Sequence, residues 1–225
     1  MRRPELLCAL LLAWPGKTAA GPAIDLSKHP PGPCQPDGAA FGPWRSAFAG
    51  HGCTRVRTDG RTRWLEQRPA VARFPGDTLA SLVTGPAFRA PMTVSAELAT
   101  AGQLRRGGAP NSWEAAWLVW SYKDDARFYY FIPKPNGWEL GKRDPAYPGG
   151  QRFLATGDLP VFPVGTWTTV RVFQEGSTIR VYADGALLAE FTDEERPYLS
   201  GRIGLYTEDA HVLFRNVYAA ELTPE

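Results

Sequence analysis

Cysteine, methionine and histidine are scarce in this 225-residue chain, which holds three Cys, two Met and three His. The histidines, His29, His51 and His211, are scattered, which argues against a His-rich metal site and against a Ser-His-Asp triad. Net charge is small as well, +2 with histidine neutral, so nothing advertises a nucleic-acid partner. No long window repeats its apolar residues every 3.6 positions, and helices are therefore short at most. Beyond residue 20 no stretch approaches the roughly 20 apolar residues of a membrane span. A phosphate-cradling Gly-rich loop is also missing: Gly107-Gly108 continues a flexible loop over 103–110, whose Arg105 and Arg106 read as solvated.

The first 20 residues explain part of the charge and one of the cysteines. Arg2 and Arg3, an apolar run from Leu6 to Trp14, and Thr18-Ala19-Ala20 compose a secretory signal with a small-residue cleavage site. Its removal leaves 22 basic and 22 acidic side chains. Cys8 leaves with it; a lipid-attachment role for Cys8 is disfavoured because Leu7 stands where such sites want a small residue. The remaining pair, Cys34 and Cys53, predicts one disulfide in a secreted, extracytoplasmic, monomeric protein.

What the chain has in quantity is glycine (23), proline (21) and aromatic residues (12%). Charged residues at 21% and a 44% hydrophobic content exclude a disordered chain and fit one sizeable domain. A Pro-rich arm over 21–43, pinned by Cys34, precedes a domain over 44–222. Within it, short β-rich runs over 44–49, 53–58, 62–67, 78–83 and 92–98 each end in Gly, Pro or Asp. Runs over 113–122, 127–133 and 138–143 read as two hairpins, the second turning at Asn136-Gly137. An irregular loop with four prolines spans 144–163, and further strands follow over 167–173, 178–183, 186–191, 202–206 and 211–219. The fold class is all-β, a two-sheet antiparallel β-sandwich of jelly-roll type.

Nine of the 27 aromatic residues fall within 113–143. An Asn136-Gly137 turn sets Pro135 beside Trp138, Lys134 opposite Glu139 and Tyr130 opposite Arg143. A four-residue turn over 123–126 sets Tyr130 beside Val119. Trp113, Trp117, Ser121, Tyr130, Lys134, Glu139 and Arg143 then share one surface, while Leu118, Trp120, Tyr122, Tyr129, Phe131, Trp138 and Leu140 face the core. A turn one residue longer exchanges the faces of the first strand. Flat rings interleaved with fixed polar groups suit a saccharide or polysaccharide, whose C–H faces pack on aromatic planes while its hydroxyls need donors and acceptors. The alternative is that these rings are core.

The run Ala115-Ala116-Trp117-Leu118-Val119-Trp120-Ser121-Tyr122-Lys123-Asp124, followed by Phe128-Tyr129-Tyr130-Phe131, resembles the concanavalin A-like lectin/glucanase superfamily. The likeness is to secreted sandwich domains of the 3-keto-disaccharide hydrolase and laminarinase-like kinds. Gly165-x-Trp167, Asp184-Gly185, Gly201-Arg202-Ile203-Gly204-Leu205-Tyr206 and Phe214-Arg215-Asn216-Val217 agree with it. The resemblance implies a jelly roll with a carbohydrate-binding concave sheet, and it supports fold more than activity. The Glu-x-Asp-x-x-Glu motif of laminarinase-like enzymes is absent, and Ser121 stands where relatives often carry Arg. No catalytic residue carries over.

Glycoside hydrolysis needs two carboxyl groups, about 5–5.5 Å apart for retention or about 6.5–9.5 Å for inversion. Glu139 is the candidate on the proposed face, with Glu114 as its partner if twist turns it toward the cleft rim, and Asp144 nearby. The bland reading of Glu139 is an ion pair with Lys134. A polysaccharide lyase would instead draw a base and cations from Tyr130, Lys134, Lys142 and Arg143. A non-catalytic lectin-like module is the third reading. No organic cofactor is expected; a structural calcium stays open, since Asp124-Asp125 and Glu208-Asp209 sit in turns.

Overall fold

Period-two alternation is the dominant pattern of the folded chain: β12 reads buried-exposed along most of its length and β13 does so in antiphase. The computed structural model describes residues 19–20 and 29–222. The expected signal segment, with Cys8, lies outside the described residues apart from Ala19 and Ala20, as do residues 21–28 of the arm.

In chain order the strands are β1 (Ala19–Ala20), β2 (Ala40–Phe41), β3 (Trp44–Phe48), β4 (Cys53–Thr58), β5 (Arg63–Arg68), β6 (Ala80–Arg89), β7 (Met92–Gln103) and β8 (Ala116–Asp124). They continue as β9 (Arg127–Lys134), β10 (Gly137–Arg143), β11 (Gln151–Gly157), β12 (Thr168–Glu175), β13 (Thr178–Ala183), β14 (Ala186–Thr192), β15 (Ser200–Glu208) and β16 (Ala210–Leu222). One 3₁₀ turn, Pro148–Gly150, precedes β11. The back sheet runs β14-β13-β12-β7-β16-β5-β4 with β1 added on β16, and the front sheet runs β11-β10-β9-β8-β15-β6-β3-β2. Every pairing is antiparallel. The expected two-sheet sandwich is the observed one.

Three expectations change in detail. The loop assigned to 144–163 contains β11, whose pairing with β10 extends the front sheet by an edge strand. The second hairpin turns at Pro135-Asn136, since Lys134 pairs with Gly137, Ile132 with Glu139 and Tyr130 with Gly141. Proline presets the negative φ of a first central turn position, which moves the turn one residue back from Asn136-Gly137. The slip advances both strands by one residue, so the side-chain faces are unchanged. Third, the first hairpin pairs Val119 with Tyr130 as expected, yet closes with Asp124 opposite Arg127. The difference is absorbed by a bulge, marked by Ser121 at φ 50°.

Between the sheets, Leu118, Trp120, Tyr129, Phe131, Trp138 and Leu140 from the front pack against Val94, Leu98, Val172, Val181 and Phe214 from the back. Two buried polar side chains here, Gln174 and Lys142, are bonded on several sides. Gln174 accepts hydrogen bonds from Trp120 Nε1 (3.1 Å) and Ser121 Oγ (3.3 Å) and donates to the Tyr198 carbonyl (2.7 Å). Lys142, with no exposed surface, donates to Asp193 Oδ2 and the Glu195 carbonyl, each at 2.7 Å. Its ammonium also lies 4.9 Å from the Tyr198 ring centre, and Tyr129 donates to the same Asp193 carboxylate. These bonds tie β10 to the segment after β14 and join the two sheets. The Cys34–Cys53 disulfide is present and fastens the arm to β4.

Candidate functional site

Strands β8, β9 and β10 are buried on both faces. On the outer face Ala115, Trp117, Val119, Phe128, Tyr130 and Ile132 form a second apolar cluster, with Tyr122 and Tyr206 packed against it. The Trp117 ring lies 4.9 Å from that of Tyr130 and 5.0 Å from that of Tyr206, and its Nε1 donates to the Trp113 carbonyl at 2.8 Å. These rings are the floor of a groove of about 470 Å³. Its walls carry two large exposed rings, Trp113 at 43% and Phe153 at 61% of full exposure, and four acidic or basic side chains, Asp125, Glu139, Arg143 and Glu208.

Glu139 is fixed from two sides. The Tyr130 hydroxyl donates to Oε1 at 2.8 Å, and Lys134 Nζ donates to Oε2 at 3.1 Å. Burial, and then the neighbouring Glu139 charge, push the Tyr130 phenol well above its ordinary range, which keeps it a donor. Gln151 of β11 donates to the Tyr130 oxygen. Tyr130 reaches Glu139 by lying across Gly141, where a Cβ would stand 2.2 Å from its hydroxyl. Glycine is required there by close approach.

Arg143 lines the groove with one long hydrogen bond, to the Gly149 carbonyl at 3.4 Å, and no carboxylate in ion-pair reach among the described residues. Across from it, Tyr206 donates to Glu208 Oε1 at 2.7 Å. Burial raises the Glu208 carboxyl above its ordinary value; the charges of Asp209 and Glu114 add to this, while the Tyr206 hydrogen bond and Arg143 oppose it. The groove thus holds one carboxyl anchored by two hydrogen bonds, Glu139, and a second, Glu208, that burial raises above its ordinary value.

The structure brings together Trp113, Trp117, Glu139 and Arg143 on the groove, with Tyr130 beneath them and Lys134 bonded to Glu139 at its side. Two expected members are elsewhere. Ser121 is fully buried and bonds Gln174 on the core side, because the bulge at that position reverses the alternation. For the same reason Tyr122, expected in the core, lines the groove. Glu114 does not line it: fully buried, it accepts hydrogen bonds from Arg105 Nε and Asn111 Nδ2. Arg105, read from sequence as solvated, is 11% exposed and also pairs with Asp209 at 2.9 Å. Asp144 is held by Arg196 at 3.2 Å, away from the groove walls.

Sequence reasoning missed Glu208, Tyr206, Gln151 and Phe153. The last two sit on the strand hidden among prolines. In the sequence Glu208 reads as a turn residue, though the alternation of Gly204, Tyr206 and Glu208 along β15 places it beside Tyr206. Among the described residues no three His, Cys, Asp or Glu side chains gather so as to hold a metal ion. No described helix is long and apolar enough to cross a membrane.

Residues 112–219 match the 3-keto-alpha-glucoside-1,2-lyase-like domain family. No curated protein matches the sequence. Among solved structures, the carbohydrate binding module CBM66 from Bacillus subtilis superposes with a TM-score of 0.57 at 15% identity, covering 80% of this chain and 96% of that one. A Bacillus subtilis protein of unknown function with a galectin-like fold superposes with a TM-score of 0.57 at 13% identity, covering 88% and 100%. At these identities both show the fold. With its two eight-stranded sheets the chain shares the sandwich fold of these structures, and over 112–219 it is similar to the 3-keto-alpha-glucoside-1,2-lyase-like domain family.

Proposed function

We propose that this is a secreted protein that binds a saccharide or polysaccharide in the groove on the outer face of the front sheet. One observation carries the reading: Trp113 and Phe153 expose large rings on the groove walls, while the polar groups between them are held by hydrogen bonds. Exposed rings offer stacking planes to sugar C–H faces, and anchored carboxylates and Arg143 offer fixed partners to hydroxyls at little ordering cost. The matched family and the carbohydrate binding module among the structural neighbours support the same ligand class. The signal-like N-terminus and the disulfide support export.

The reading extends to cleavage of a glycosidic bond, because a second carboxyl, Glu208, lines the groove with Glu139. The competing reading is a non-catalytic module, favoured by the occupation of both Glu139 oxygens by Tyr130 and Lys134. Affinity electrophoresis in gels containing laminarin, xylan or alginate tests binding. At least one polymer retards the protein, and Trp113→Ala restores free migration without changing the unfolding midpoint. Equal migration of both proteins in every gel contradicts the proposal. Release of reducing ends or unsaturated products from the retarding polymer separates enzyme from module.

A further inference from the structure

We infer that Arg105 is a positioning residue for saccharide binding: it bridges three segments at the Trp113 end of the groove and so sets where their side chains stand. The inference rests on the saccharide reading above. Arg105 follows the end of β7 and does not itself line the groove. Its guanidinium forks three ways. Nε donates to Glu114 Oε1, one amino nitrogen donates to Asp209 Oδ2 at 2.9 Å, and the other donates to the Pro75 carbonyl. Each acceptor is a close sequence neighbour of a residue that lines the groove. Glu114 follows Trp113, Asp209 follows Glu208, and Pro75 stands three positions before Thr78.

Further bonds carry the clamp to the groove wall. Asn111 Nδ2 donates to Glu114 at 2.8 Å, and Gln103 Nε2 donates to the Asn111 carbonyl at 2.9 Å. The Ala115 amide and Trp117 Nε1 both donate to the Trp113 carbonyl at 2.8 Å. The turn that presents the Trp113 ring is therefore held at its carbonyl and, one residue on, at the Glu114 carboxylate. On the other side, the Leu79 amide donates to Asp209 Oδ1 and the Asp209 amide to the Leu79 carbonyl, each at 2.9 Å. The Leu104 amide donates to the Asp209 carbonyl at 2.7 Å.

The clamp depends on the shape of a guanidinium. Its planar, fixed donors reach two carboxylates and a carbonyl at once, which the point charge of a lysine does not reproduce. The pairs are also largely shielded from water: the side chain of Arg105 is 11% exposed, that of Asp209 2% and that of Glu114 not at all. Apolar side chains of similar volume hold loops with equal or greater stability, so what the charged fork adds is direction. A large ring fixed before the ligand arrives spares the complex the ordering cost of that side chain.

The test is Arg105→Lys. Indole N–H signals of the ¹⁵N-labelled free protein read position, and gel retardation over a series of laminarin, xylan and alginate concentrations reads affinity. The variant shifts the Trp113 and Trp117 signals, leaves Trp120 and Trp138 in place, and binds the retarding polymer about 2–10-fold more weakly, the ordering cost of one large side chain. Lost stability alone does not give this pattern: the protein with Cys34 and Cys53 both replaced by alanine keeps wild-type signals at Trp113 and Trp117 and wild-type affinity. Asn111→Ala, which removes one bond to Glu114, carries the test if Arg105→Lys fails to fold, with smaller changes at the same two signals and in affinity. A folded variant with wild-type signals and affinity overturns the inference and leaves the saccharide reading standing, as does either effect without the other. Absence of wild-type binding to all three polymers overturns the reading and the inference with it.

Discussion

Two clusters of buried charge lie at opposite ends and on opposite faces of the front sheet, and they are built to different standards. Around Lys142 everything is bonded: its ammonium reaches Asp193 and two carbonyls, and Asp193 also receives Tyr129 and the Glu195 amide. Around Glu208 the accounts do not balance. Three carboxyl groups share Arg105 and a tyrosine, and one buried oxygen of Glu114 has no partner. A closed network specifies a structure, whereas an open one beside a groove marks a candidate functional site. The first cluster locks the sheets together; the second faces the groove.

The largest effect expected on this contrast is at Lys142. Lys142→Met leaves the fully buried Asp193 carboxylate with Arg152 at 3.7 Å as its remaining counter-charge and costs about 3–5 kcal/mol in denaturant unfolding, as breaking a buried ion pair does. Adding Asp193→Leu recovers much of the loss. A Lys142→Met cost below about 1 kcal/mol would erase the distinction. Next comes the disulfide: replacing Cys34 and Cys53 with alanine opens a loop of sequence separation 19 and lowers stability by about 3 kcal/mol. Saccharide binding is retained in the folded fraction, since neither cysteine lies on the groove. Gly141→Ala is smaller, about 1–3 kcal/mol from overpacking, and it displaces Tyr130 from Glu139, so polymer binding falls with stability.

Glu208→Gln carries a sign that separates the two clusters. A carboxyl raised by folding binds more protons folded than unfolded, so its penalty grows as pH rises from the unfolded value through the folded one and is complete above that. Thermal unfolding should therefore show the Gln variant more stable than wild type near neutral pH and unchanged well below the ordinary carboxylate range. A variant less stable at neutral pH would place Glu208 with the closed networks. The smallest stability effect is Trp113→Ala, within about 0.5 kcal/mol as for an exposed position, with its consequence confined to binding.

The faces of the central hairpins were legible in the sequence even though their register was not. Moving the turn from Asn136-Gly137 to Pro135-Asn136 advances both strands together and preserves the alternation, so Trp117, Tyr130, Glu139 and Arg143 stay on one side. The Ser121 bulge is a local irregularity on one strand; it exchanges Ser121 with Tyr122, and no residue type announces it. Proline density concealed β11, although Phe153 outward and Leu154 inward show its alternation once the neighbouring strand is in place. Glu114 stands at the start of an aromatic strand, and its bond to Arg105 is a tertiary fact that spacing does not encode.

The central claim is that the outer face of the front sheet is the saccharide face. Tryptophan indole N–H signals report on both faces at once. Titrating soluble oligosaccharides of the retarding polymer into ¹⁵N-labelled protein should shift the Trp113 and Trp117 signals and leave Trp120, bonded to Gln174 in the core, in place. Shifts at Trp120 with Trp113 and Trp117 silent would contradict the account.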